Sequence, residues 1–225
     1  MSDDETNPRG AFAISEDLVQ SPSHRQARTN RFDFDGLLQD QPLELHEDLA
    51  KGNGGQAWPA GQVLAKYLLR MKRDALQRCN SIVELGAGGG LVGLAVAVGC
   101  RPDYPVYITD QESMLELMQR NIVLNGLASA VHAAVYDWGE AQPVDVPAFP
   151  DVILAADCVY FEPAFPLLQA TLKQLIGPSS ICYFCFKKRR RADMQFVKAI
   201  KKTFVVEAVL DDPDREVYAR ENISL

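Results

Sequence analysis

The chain has 225 residues, of which 47% are hydrophobic and 24% charged, with a net charge of −7. That length points to one domain with a full hydrophobic core. The longest apolar runs, such as Leu91–Cys100, fall well short of the roughly 18 residues a membrane span needs, and the acidic N-terminus lacks the basic-then-apolar order of a signal peptide. A cytoplasmic protein without a membrane partner is expected.

The charge is unevenly placed. Residues 1–50 hold eleven acids and four bases, so the other 175 residues carry nineteen charges of each sign. Residues 1–30 are polar and acidic with few large apolar side chains, the composition of a disordered tail, and 31–225 read as the folded domain. Arg31-Phe-Asp-Phe-Asp-Gly-Leu-Leu alternates apolar and polar residues, turns near Gly36 and returns through Leu43-Glu-Leu-His, which predicts a β-hairpin. A loop, Gly52-Asn-Gly-Gly-Gln, then delivers Trp58. Pro59 suits a first helical turn, and Val63, Leu64, Tyr67, Leu68, Met71 and Ala75 follow at helical spacing.

Ser81-Ile-Val-Glu-Leu-Gly-Ala-Gly-Gly-Gly-Leu-Val-Gly-Leu94 is a short apolar run, an acid, a glycine turn and a helix start. Further on, Val106–Asp110 predicts a strand, Met114, Leu115, Met118 and Ile122 mark a helix ending near Asn125-Gly126, and Val131–Tyr136 predicts a strand. Asp151–Asp157 is nearly all apolar, as a central parallel strand should be. Phe165–Leu175 reads as a helix, Ile181–Phe186 as a strand and Met194–Lys202 as a helix. Phe204–Leu210 and Glu216–Asn222 read as a closing antiparallel pair. Regular alternation of strand and helix predicts a doubly wound α/β sheet.

The five cysteines (Cys79, Cys100, Cys158, Cys182 and Cys185) sit mostly in apolar runs and read as reduced, buried thiols of an intracellular protein. Cys182 and Cys185 have metal-pair spacing, but they lie within a strand and no second pair exists. His24, His46 and His132 are scattered, so no metal is expected.

Glycines at 86, 88 and 90 can take positive φ and let a ligand approach the backbone, at the strand end where open α/β sheets bind nucleotides. A phosphate loop needs Gly-x4-Gly-Lys-[Ser/Thr], and here Leu91 and Val92 follow the glycines. Glu84 stands before the first glycine. Its carboxylate would repel a pyrophosphate but suits a ligand with a cationic amino group and sulfonium. Asp110, 26 residues on, ends the next strand, where a carboxylate can accept both ribose hydroxyls. Together these favour S-adenosylmethionine over a phosphate or dinucleotide.

With these features the chain resembles the seven-stranded, S-adenosylmethionine-dependent protein-lysine methyltransferases of the methyltransferase-like 21 group, and among them the fungal enzymes that modify translation elongation factors. The matching stretches are Gly55-Gln-Ala-Trp58-Pro-Ala-Gly-Gln-Val-Leu-Ala-Lys-Tyr-Leu68, Val83–Leu94, Ile108-Thr-Asp110, Asn121-Ile-Val-Leu-Asn125, Asp137-Trp-Gly139 and Ala156-Asp-Cys-Val-Tyr-Phe-Glu162. The resemblance implies a Rossmann-like seven-stranded sheet with helices on both faces, beside the N-terminal hairpin. It also implies that Trp58 and Trp138 wall the cofactor and that Gly86, Ala87 and Gly88 pass its methionine moiety. Asp110 would hold the ribose, Ala156 line the pocket, and Asp157 and Tyr160 shape the channel for the target lysine. The implied partner is a protein substrate, with elongation factor 1-alpha as the expectation and a monomer as the default state.

A small-molecule N-methyltransferase and a non-catalytic adaptor would use the same scaffold. Lys187-Lys-Arg-Arg-Arg191 suits a solvated loop, or a contact with an acidic face of a protein substrate. The neutral body offers little cationic surface for nucleic acid.

Overall fold

The computed structural model describes residues 27–38 and 40–225. The expected acidic tail lies, through residue 26, outside the described residues. β1 (Arg28–Phe32) and β2 (Leu43–Glu47) form the antiparallel hairpin, with Arg28 opposite Glu47 and Phe32 opposite Leu43. Two 3-10 turns, Leu49–Lys51 and Asn53–Gly55, lead to α1 (Pro59–Met71), which starts at its proline. Lys72 breaks the helical run, and α2 (Arg73–Gln77) follows.

The central sheet contains β3 (Ile82–Leu85), β4 (Val106–Asp110), β5 (Val131–Val135), β6 (Val152–Ala156), β7 (Ile181–Lys187) and β8 (Ile223–Ser224). Its order is β5-β4-β3-β6-β7-β8, parallel except for β8. The connecting helices are α3 (Leu91–Cys100), α4 (Glu112–Leu124), α5 (Phe165–Leu175), α6 (Arg191–Ile200) and α7 (Arg215–Arg220). Strand alternation divides the core into two layers. Ile82, Leu154 and Cys185 pack with α1, α3, α4 and the hairpin, whereas Val83, Ile153 and Phe186 pack with α5 and α6. Cys182 and Cys185 join opposite layers, so one metal ion cannot bridge them.

The closing pair expected at Phe204–Leu210 and Glu216–Asn222 is corrected by this arrangement, and the sheet among the described residues has six strands rather than seven. From Val205 to Leu210 the chain forms no ladder, and Val205 is 90% exposed. A single backbone bond, from Val209 N–H to the Leu225 carbonyl, ties it to the sheet edge. Residues 215–220 are helical, and only Ile223–Ser224 pairs with β7. The cause is ionic. Asp211 meets Lys72 at 3.2 Å, and Asp214 meets Lys66 at 2.6 Å and Arg70 at 3.0 Å. This network holds the Asp211–Asp214 turn on α1, and Asp214 leads directly into α7.

A polar stitch fastens the hairpin to the sheet. Asn121 on α4 is fully buried; its Oδ1 accepts from His46 N–H at 2.8 Å, and its Nδ2 donates to the His46 and Gly89 carbonyls at 3.1 and 2.9 Å. Asn125, one turn on, pairs likewise with both backbone groups of Glu44. Asn121→Leu would leave three buried backbone groups without these partners. It is expected to destabilise the fold by about 3 kcal/mol, read as a lower urea midpoint at unchanged slope.

Candidate active site

A cavity of about 890 Å³ opens at the carboxyl ends of β4, β3 and β6, the crevice where open parallel sheets take ligands. All ten residues singled out in the sequence line it: Trp58, Glu84, Gly86, Ala87, Gly88, Asp110, Trp138, Ala156, Asp157 and Tyr160. Ten positions spread over about 100 residues of chain converge because four parallel strands, β5, β4, β3 and β6, end side by side and the loop before α1 rests on the glycine turn.

The glycine turn forms its floor. Gly88 has φ of +56°, and a Cβ there would lie 2.3 Å from the Gly54 carbonyl oxygen, so the loop before α1 rests directly on the turn. Gly86 has φ of +61°, and a Cβ there would lie 2.8 Å from the Trp138 ring. Both positions therefore require glycine for conformation and for space. Trp58 precedes the first turn of α1, and its indole N–H donates to the Asn53 carbonyl at 2.9 Å.

Asp110 ends β4 and accepts from the Gly88 N–H at 2.7 Å and the Gln111 N–H at 2.7 Å. Glu84 is 2% exposed and accepts from the Gly93 N–H at 2.7 Å, on the first turn of α3. Burial pushes its carboxyl up to about 8; the Asp110 charge adds to this, while the Gly93 and Val92 N–H groups oppose it. Among the described residues no cation pairs with Glu84. A buried carboxyl without a counter-ion, a carboxylate fixed at a strand end and a bare glycine backbone fit S-adenosylmethionine. Its amino group, ribose and methionine chain need those three features.

The sign of the Glu84 shift makes a stability prediction. With a folded value near 8 against the ordinary 4.5, the folded chain keeps a proton that the unfolded chain releases. That stabilisation is complete below pH 4.5 and is lost as pH rises through about 8. Glu84→Gln is expected to flatten this decline in urea titrations across the window.

Asp157 follows β6 with φ of +55° and is 5% exposed. It does not cap a helix. Its Oδ1 accepts from the Lys187 N–H at 2.9 Å, and both its oxygens meet the Arg189 guanidinium at 3.0 Å. The Arg189 guanidinium also lies over the Trp58 ring, 5.4 Å from its centroid. Arg190 donates to the Tyr160 carbonyl. Both arginines line the cavity, so part of the basic run faces the site instead of forming a wholly solvated loop. Sequence reasoning missed them, although the run directly follows the strand that neighbours β6. The loop residues Asn53 and Gly54, which also line the cavity, carried no chemical signal beyond their glycines.

The sequence profile of the lysine methyltransferase family matches residues 37–203. Protein-lysine N-methyltransferase EFM6 of Saccharomyces cerevisiae is 36% identical, over 92% of this chain and 93% of its own length. EEF1A lysine methyltransferase 3 of Mus musculus is 31% identical, over 96% of this chain and 90% of its own. Among solved structures, the T. thermophilus 16S rRNA N2 G1207 methyltransferase RsmC shares the fold, with a TM-score of 0.60 over 90% of this chain and 50% of that one at 15% identity. Profile and full-length relatives agree with the site's chemistry, and the chain belongs to the lysine methyltransferase family.

Proposed function

We propose that this lysine methyltransferase modifies a lysine of translation elongation factor 1-alpha, using S-adenosylmethionine, as a cytoplasmic monomer whose catalytic domain spans residues 31–225. The observation that carries the chemistry is the single cavity shared by the carboxylates of β3 and β4 and by the acid–aromatic group of Asp157, Tyr160 and Trp58. The choice of protein rests on relatives, one of which is named for its action on EEF1A. No described helix is long and apolar enough to cross a membrane.

Bound S-adenosylmethionine would supply an electrophilic methyl group on its sulfonium, which a neutral amine would accept in line as the carbon–sulfur bond breaks, leaving a neutral thioether and a methylated ammonium that loses its proton to water. Glu84 faces the cationic amino end, Asp110 takes the ribose hydroxyls, and Trp58 and Trp138 exclude water. Gly86, Ala87 and Gly88 pass the methionine chain, and Ala156 lets it lie close to β6. Asp157 and Tyr160 orient the acceptor lysine. The amine must be neutral to react, whereas free lysine has a pKa near ~10.4. An aromatic-walled channel lowers that value by desolvation, and positioning supplies much of the rate.

The test is to incubate the full chain with labelled S-adenosylmethionine and a cytosolic extract, then map the labelled residue by mass spectrometry. A methylated lysine in elongation factor 1-alpha is expected. Label on small metabolites alone would overturn the reading.

A further inference from the structure

The carboxylate assigned to the acceptor lysine already holds a cation. Arg189 meets Asp157 fork to fork, with Nη1 and Nη2 each 3.0 Å from a carboxylate oxygen, a geometry that fixes orientation as well as distance. The guanidinium lies over Trp58, so it is held from two sides. Its backbone is fixed too. The fully buried Asp193 accepts from the Arg189 and Arg190 N–H groups at 2.7 and 2.9 Å and anchors the start of α6.

This pairing changes the acid–base chemistry expected of the site. A lone carboxylate beside the acceptor would favour the ammonium form, which cannot attack a methyl group. A carboxylate already neutralised by a guanidinium loses most of that pull, and a nearby fixed cation disfavours a second one. Arginine suits the role because it does not give up its proton in proteins.

We propose that Arg189 is a positioning residue for methyl transfer: it clamps Asp157 and, staying in place as a permanent cation, biases the acceptor lysine toward its neutral, nucleophilic form. The inference rests on the lysine-transfer reading above. Several other groups face the pair. Tyr160 and Cys158 come from the segment after β6, Cys185 and Lys187 from β7, Arg190 from the turn into α6 and Asp193 from the first turn of α6. Burial pushes the Cys158 and Cys185 thiols well above their ordinary range, so they stay neutral at working pH. Glu84 and Asp110 belong to the neighbouring strand ends, beyond Cys158. Saturating cofactor removes their effect on binding from the measurement.

The experiment follows kcat against pH, from about 6 to 10, for the full chain on the mapped lysine substrate with both substrates saturating; this reports ionisations of the complex. The wild-type rate is expected to rise with pH through one apparent pKa. Arg189→Gln is expected to move that pKa up by about one unit, lowering kcat near neutrality roughly tenfold, with recovery toward the wild-type plateau at high pH. Arg189→Lys, which keeps the charge, is expected to hold the wild-type pKa at a lower plateau; it also serves as the test if the glutamine variant fails to fold. An unmoved profile with a uniformly lower rate in Arg189→Gln, or a displaced profile in Arg189→Lys, would overturn the proposal. So would a lower KM for the protein substrate with the pKa unchanged in Arg189→Gln, since the arginine would then be a plug the substrate displaces. Absence of wild-type activity on any protein lysine would overturn the enzyme reading and this inference with it.

Discussion

Asp110→Ala is expected to weaken S-adenosylmethionine binding by roughly 100-fold or more in a calorimetric titration, with turnover lost at cofactor concentrations that saturate the wild type. A hydrogen bond to a charged acceptor contributes about 1.5–3 kcal/mol, so two ribose hydroxyls on one carboxylate together reach that factor. The carboxylate is pre-oriented by the Gly88 and Gln111 N–H groups. Each carboxylate oxygen accepts two bonds, so orientation by the backbone and reception of a ribose are compatible. Asp110→Asn keeps the shape and one acceptor oxygen and should fall between the two. The alanine variant also strips the Gly88 N–H of its partner, so its unfolding midpoint is measured alongside. Binding within a few-fold of wild type would remove Asp110 from the ribose site.

How far the sequence reached depended on whether a signal was local. Val152–Ala156 could be read as a central strand because both its faces are buried, and α5 matched its expected span because its apolar residues recur at one helical period. The glycine turn and the strand-end acids among the ten cavity-lining residues stood out for the same reason. Strand-end acids and a glycine turn are local features, and parallel topology then brings their ends together. Much of the assignment of roles came from family resemblance, since a tryptophan or tyrosine in such a loop also serves packing.

The failures were non-local. Phe204–Leu210 has the alternation of a strand, but the segment after it is tied by Asp211 and Asp214 to Lys66 and Arg70 on α1 and to Lys72 just past its end, about 140 residues earlier. Arg189 reads as one of five solvated cations, because its carboxylate partner lies 32 residues upstream and only the β6–β7 pairing brings them together. The same pairing determines what Asp157 binds. A carboxylate at a strand end has several available donors, and here the neighbouring strand supplies them.

Asp157→Asn is expected to cut lysine methylation by about 100-fold while leaving cofactor affinity within about twofold. The choice of asparagine follows from the backbone. With φ of +55°, position 157 sits in the left-handed region that asparagine and aspartate tolerate, whereas alanine would add strain to the loss of function. Asparagine keeps an oxygen for the Lys187 N–H but loses the charge that pairs with Arg189 and the second acceptor of the fork. Asp157 is buried and Arg189 only partly exposed, so breaking the pair also costs stability, and the unfolding midpoint of the variant is measured alongside its activity. The deficit should fall on kcat for the protein substrate, and pairing the variant with Arg189→Gln should be markedly less than multiplicative because both changes break one unit. If Asp157→Asn turned over a protein lysine at the wild-type rate while Asp110→Ala lost the cofactor, the cavity would still bind the methyl donor, but the acceptor side of the assignment would have to move away from the end of β6.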